Sequence, residues 1–189
     1  MSPSRALESD VRTRLLDAAE RLFYGRGVHA VGIDAVVAEA GVATKTLYTC
    51  FGSKDGLVEA YLRRRDQRWL TWLGAAVAAV APGPAQVLAV FDALGGWFAE
   101  PGFNGCAFIN VAGELTTSAT ARAIARDHKL GLRVLLTDVA QGCGVADPAV
   151  FTERLMLLVE GAIVTAHIEG NADAAPQARS AAAALLELD

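Results

Sequence analysis

Val11, Leu15, Ala18 and Leu22 recur three or four positions apart, with Ala19 and Phe23 widening the stripe and charged residues between them. That period predicts an amphipathic helix over residues 10–25. Ser9 and Asp10 stand where they would cap its start, and Gly25 and Gly27 where they would end it. A second, short helix over 33–40 places Ile33, Val36, Val37 and Ala40 on one face and stops at Gly41. A third, from Thr44 to about Cys50, carries Lys45, Thr46, Tyr48 and Thr49 around a single apolar Leu47. Helices this short need a shared core, which Phe23, Val36, Val42, Leu47 and Phe51 are spaced to supply. A polar helix presented by its predecessor across a tight glycine turn has the geometry of a DNA major-groove reader.

Ser53 caps a fourth helix over 53–81, a connecting rod broken by Pro82-Gly83-Pro84. Lys54 lies in its first turn, where the helix dipole disfavours a cation; either a DNA phosphate relieves the conflict or the lysine is solvated beside Asp55. Arg63, Arg64, Arg65 and Arg68 follow, either brushing DNA or forming a solvated face with Glu59 and Asp66. Val87, Leu88, Phe91, Leu94 and Phe98 mark a helix over 85–99, and Pro101 to Gly105 breaks it. Further helices are predicted over 106–117, 119–141, 148–170 and 176–188. Nothing alternates at period two for long enough to require a sheet. The fold class is therefore all-α, with about nine helices, divided into a helix-turn-helix head over 1–52 and a helical body over 53–189.

Charge adds a direction to this organisation. The 189 residues carry a formal net charge of −4, yet residues 1–68 sum to +2 and the remainder to −6. A nucleic-acid partner would have to meet the front third, since the acidic remainder repels phosphate. The three cysteines, Cys50, Cys106 and Cys143, show no CxxC spacing, and the N-terminus shows no apolar signal segment. Cytoplasmic thiols are the simplest reading. The uncharged stretch from Trp69 to Phe91 is cut by its prolines into pieces too short to span a bilayer.

The runs AAERLFYGRG and GIDAVVAEAGVATKTLYTCFGSKDGLVEAYL resemble the DNA-binding head of the TetR/AcrR family of bacterial repressors. The resemblance covers roughly residues 10–62. It implies that Thr44, Lys45, Thr46 and Thr49 lie at the groove and that Tyr48 and Lys54 contact phosphates. Three positions depart from the family pattern: Gly32 stands where Thr or Ser usually caps the second helix, Ala43 where Ser often caps the third, and Cys50 where His is frequent. Thr44 would then cap in place of Ala43.

In the body, small residues such as Gly161, Ala162, Ala166 and Ala181 to Ala184 allow helix axes to approach closely. The reading is a two-fold homodimer formed by four helices, with Phe151, Leu155, Leu158, Ala162, Ala166, Ala182 and Leu185 as its contacts; the alternative is a single-chain bundle. A dimer would hold two recognition helices about 34 Å, or a multiple of it, apart on a palindromic operator. Trp69, Trp72, Phe91, Trp97, Phe103 and Met156 concentrate apolar bulk mid-chain, and Gly95, Gly96, Gly113 and Gly161 remove it locally. The resemblance implies a small-molecule effector between these helices. Candidate polar contacts are Asn104, Asn110, Glu114, Thr117, Glu160, Thr165 and His167.

The segment Gly102 to Asn110 resembles the G-C-x-F-x-N feature of one subset of such ligand domains, some of which sense electrophiles or oxidants. Cys106 falls at a predicted helix start, where exposed amides lower a thiol pKa, although no cation lies near it in sequence. His29, His128 and His167 are widely separated and form no metal or acid-base motif, and no phosphate-binding glycine loop is present. An enzyme, a metal and a cofactor are accordingly not expected. The expectation is a repressor that binds a double-stranded DNA operator and is released by a small apolar effector; the alternatives are a thiol-based sensor through Cys106 and a helical dimeric module without specific DNA affinity.

Overall fold

A computed structural model describes residues 3–188, with side chains described from Ser9 to Glu187. Among these residues nine α-helices follow in order: α1 Pro3–Arg26, α2 Ile33–Ala40, α3 Thr44–Phe51, α4 Lys54–Ala78, α5 Pro84–Phe98, α6 Ala107–Glu114, α7 Ala119–Gly142, α8 Pro148–Glu169 and α9 Ala174–Leu188. No strand occurs among the described residues, so the all-α expectation holds.

The first helix begins before its expected cap. Ser9 and Asp10 lie inside α1, where the Ser9 carbonyl accepts from the Thr13 hydroxyl and Asp10 pairs with Arg14 at 3.9 Å. Leu15, Ala18, Ala19, Leu22 and Phe23 are buried as the stripe requires, against Val36, Val37 and Ala40 of α2 and Leu47 of α3. Val42 and Phe51, expected in the same core, are only half-buried. The front of α4 completes it with Leu57, Val58, Tyr61 and Leu62, the Tyr61 ring standing edge-on to Phe23 at 5.8 Å.

Gly41 makes the turn. Its φ of 63° ends α2 in the left-handed region, which costs glycine least, and its N–H reaches back to the Ala38 carbonyl. Gly32 and Ala43 precede α2 and α3 with no side-chain cap, so Thr44 is the first residue of α3 and does not cap it. Ser53 does cap α4, its hydroxyl accepting from the Gly56 amide at 3.0 Å.

The chain separates into two compact units, and the division does not fall at 52/53. The first unit extends to Gln67 and includes Ala107–Ala125; the second is Arg68–Cys106 with Arg126 onward. The front of α4, all of α6 and the start of α7 thus belong with the helix-turn-helix. In the second unit α5, α8 and α9 pack on one another around Val87, Phe91, Leu94, Phe151, Leu155, Val159 and Ala182. No described helix is long and apolar enough to cross a membrane.

Candidate functional site

On α3 the helical period turns Leu47 fully inward and leaves Thr44, Lys45, Tyr48 and Thr49 exposed, with Thr46 half-buried. Tyr48 is 48% exposed, a large aromatic held at the surface. The Thr49 hydroxyl donates to the Lys45 carbonyl at 3.0 Å, so its proton is used within the helix and its methyl and oxygen lone pairs remain outward.

The helix is braced from α1. Arg12 donates to the Cys50 carbonyl at 2.9 Å and lies 4.4 Å over the Phe51 ring. Arg14 donates to the carbonyls of Ala40 and Gly41 at 3.2 and 2.9 Å. Both guanidiniums meet C-terminal carbonyls, where the helix dipole is negative, so each contact is charge-assisted; Arg14 fixes the turn between α2 and α3, and Arg12 fixes the C-terminal end of α3. Their sequence positions carry no sign of this role, because the partners lie 26 to 38 residues away.

Lys54 is half-buried, and its ammonium donates to the Val28 carbonyl at 2.6 Å. That carbonyl relieves the conflict with the dipole which a phosphate was expected to relieve, although two of the three ammonium protons remain available. The basic run resolves in favour of internal pairing. Arg63 pairs with Glu59 at 2.6 Å, Arg64 with Asp17 and Glu20 at 2.8 Å each, and Arg65 with Glu20 at 3.2 Å while stacking 3.8 Å over Tyr24. Arg64 and Arg65 tie α4 to α1 within the head.

Glu114, expected beside an effector, instead ends α6 against the loop between α1 and α2. Its carboxylate accepts from the His29 amide at 2.8 Å, and its carbonyl accepts from His29 Nε2 at 2.7 Å. Asn110 shares α6 and the same unit. Neither belongs to the unit that holds the mid-chain aromatics.

In that second unit Trp69 is buried, with ring centroids of Trp72, Trp97 and His128 at 5.9, 5.8 and 5.2 Å. Trp97 continues to Phe103 at 5.0 Å, and Phe103 to His167 at 6.4 Å. The structure thereby brings together Trp69, Trp72, Trp97, Phe103 and His167, and adds His128. Phe91, 1% exposed, is core, and Met156 is also buried. Cys106 and Glu160 meet elsewhere in this unit through Lys129, whose ammonium lies 2.6 and 2.7 Å from the Glu160 oxygens and 3.6 Å from Cys106 Sγ. The cation absent from the sequence neighbourhood of Cys106 is thus supplied by α7.

Most residues chosen as dimer contacts face inward. Phe151, Leu155, Ala162, Ala166 and Ala182 are buried within their own chain, and Leu158 and Leu185 are half-buried. The apolar side chains that α8 exposes are Val150, Leu157, Val164 and Ile168, spaced on one face with Gly161 among them. Among the described residues no group of three His, Cys, Asp or Glu side chains is placed to hold a metal.

Residues 15–61 match the family model of bacterial regulatory proteins, tetR family. The chain is similar to a solved TetR-family transcriptional regulator from Streptomyces coelicolor, with 30% identity, 95% of each chain covered and a TM-score of 0.87. An uncharacterised HTH-type transcriptional regulator of Mycobacterium tuberculosis is 42% identical over 55 residues, 29% of this chain and 27% of that protein. The HTH-type transcriptional activator FasR of Mycolicibacterium smegmatis is 41% identical over 61 residues, 32% of this chain and 28% of that protein. The match thus spans little more than a quarter of these curated relatives.

Proposed function

The chain belongs to the TetR family of bacterial transcriptional regulators, and from that premise we propose that it is a repressor that binds a palindromic DNA operator as a homodimer and is released by a small, mainly apolar effector. One observation carries the DNA reading: α3 presents Lys45, Tyr48 and Thr49 outward, with Arg14 fixing the turn before it and Arg12 fixing its C-terminal end. A rigid polar helix of this kind can enter a major groove without first being ordered. Thr44, Thr46 and Lys54 complete the proposed contact set. With most arginines of the head paired internally, specificity rests on positioned contacts more than on bulk charge.

Dimerisation is assigned to the exposed α8 face of Leu157, Val164 and Ile168, with Leu158 and Leu185 at its margin. An apolar stripe on an otherwise polar surface is a docking face, and a two-fold axis lets it cover itself. The effector is assigned to the ring cluster around Trp69 and Trp97. Release requires it to favour an arrangement of the two heads that fits the operator poorly. The head also resembles an activator, so the sign of regulation is part of the test.

Fluorescence anisotropy with labelled duplex from the chain's own upstream region tests the reading. Binding competed by that duplex and not by a scrambled one supports it; equal competition overturns it. In vitro transcription from the same promoter then separates repression from activation.

The contact between Lys129 and Cys106 favours a second reading, a regulator released by thiol modification. Operator binding that is lost on treatment with an electrophile and retained by Cys106→Ser supports this reading; loss in both proteins overturns it.

A further inference from the structure

The indole N–H of Trp69 is buried and has no hydrogen-bond acceptor among the described residues. Indole nitrogen only donates, so no rotation of a neighbouring hydroxyl or amide can turn it into an acceptor and relieve the mismatch from its own side. Buried donors are almost always paired, which makes this one a position where a partner from outside the chain fits. The ring stands 9% exposed among Trp72, Trp97 and His128, and Trp72 and Trp97 are themselves only half-buried.

These surroundings define the missing partner. The rings are flat and apolar, and their mutual edge-to-face arrangement is one that another aromatic ring can extend. Lys129, which follows His128 in sequence, is already engaged by both oxygens of Glu160, so it does not offer the free counter-charge that an anion requires on leaving water. A quaternary ammonium would satisfy the ring faces but brings no acceptor to the N–H. An uncharged planar molecule with an exposed carbonyl satisfies both the rings and the donor.

We propose that the Trp69 cluster binds an uncharged, planar aromatic carbonyl compound and that the Trp69 N–H is its polar anchor. This rests on the assignment of the effector to the ring cluster. It adds the chemical class of the effector and the residue that selects it.

Calorimetry on the full chain with coumarin and naphthalene tests the anchor, since the two are similar in size and flatness and only coumarin carries a carbonyl. Coumarin-3-carboxylate and tetramethylammonium serve as the anionic and cationic arms. One added hydrogen bond corresponds to a coumarin preference of roughly tenfold, expected to vanish in Trp69→Phe while naphthalene affinity moves less than about threefold. A second readout needs no variant: in the 15N-indole-labelled protein one indole N–H proton resonance lies further downfield with coumarin, the direction of a hydrogen bond, than with naphthalene. Equal affinity of the two probes, a preference that survives Trp69→Phe, tighter binding of either charged probe, or binding of none overturns the proposal. Operator binding is followed in the same preparations. Specific DNA binding without a coumarin preference removes this inference alone, whereas absence of specific DNA binding removes the regulator reading beneath it.

Discussion

Glu114 and His29, 85 positions apart, are joined by two hydrogen bonds that His29 donates: its amide to the Glu114 carboxylate at 2.8 Å, and its Nε2 to the Glu114 carbonyl at 2.7 Å. The end of α6 is thereby fastened to the loop that leads into α2. Gly27 lies under the same carboxylate, with a φ of 84°, and a Cβ there would stand 2.9 Å from Glu114 Oε1. The Lys54 ammonium holds the Val28 carbonyl between them. Any movement of α6 therefore pulls on the backbone that positions the helix-turn-helix.

Glu114→Ala removes the acceptor of an exposed backbone donor, which costs about 1 kcal/mol. For a chain of this length that lowers the melting temperature by about 2–4 °C. Glu114→Gln keeps an acceptor oxygen and is expected to melt close to the parent. Gly27→Ala combines a strained φ with the close approach and is expected to melt below Glu114→Ala. Equal melting of the parent and Glu114→Ala would show that the fastening adds nothing.

Tyr48 and Lys45 are exposed and support no core contact, so their replacement by Ala is expected to change stability by less than about 0.5 kcal/mol. Tyr48→Ala should weaken operator binding roughly tenfold through loss of one phosphate contact. Lys45→Ala should reduce the slope of log affinity against log salt by about 1. Anisotropy titrations at several salt concentrations read both, and circular dichroism checks the fold. Unchanged affinity in both variants would move the DNA face away from α3.

What the sequence disclosed follows from where a helix writes its environment into a local period. The inward turn of Leu47 and the outward Lys45, Tyr48 and Thr49 were legible because α3 has one apolar position on an otherwise polar surface. The α8 faces were not. With Phe151, Leu155, Ala162 and Ala166 on one side and Leu157, Val164 and Ile168 on the other, both sides are apolar, and periodicity alone cannot say which meets its own chain. Glu114 bonding to His29, Lys129 approaching Cys106, and Lys54 turning to Val28 are polar pairings across 23 to 85 positions. Such pairings leave no repeat in the chain, so local context does not disclose the partners that these residues have within it.

Arg64 discriminates a structural from a DNA-contacting basic run. Its guanidinium, 20% exposed, joins Asp17 and Glu20, and its loss takes from Asp17 this cation and leaves Glu20 with Arg65. Arg64→Ala is expected to cost about 1–3 kcal/mol in thermal or urea unfolding. The salt slope of operator binding, measured where the variant is fully folded, should be unchanged. A reduced slope with parental stability would return this arginine to the phosphate backbone.

Burial raises the pKa of the Cys143 thiol above its ordinary value, so at any pH below that value its thiolate fraction is smaller than that of a free cysteine. Since the thiolate is the nucleophile, iodoacetamide at pH 7–8 should modify Cys143 more slowly than an unstructured cysteine peptide, and the deficit should narrow as pH rises. Mass spectrometry of timed digests measures both. Labelling of Cys143 as fast as the peptide at neutral pH would contradict its burial.

Leu157 and Ile168 are each 75% exposed, and neither supports the interior of its own chain. Glu at either position is therefore expected to leave secondary structure and monomer packing intact while placing like charges on both sides of a two-fold contact. Light scattering of Leu157→Glu and Ile168→Glu should report single chains where the parent reports pairs. Operator affinity should fall with it, because two half-sites can no longer be engaged together and the gain from effective concentration is lost. Ala166→Ser, inside the chain, serves as the contrast: it is expected to lower stability through a buried hydroxyl without dissociating the dimer. Retention of the pair by both Glu variants would assign dimerisation to a face other than the outer side of α8.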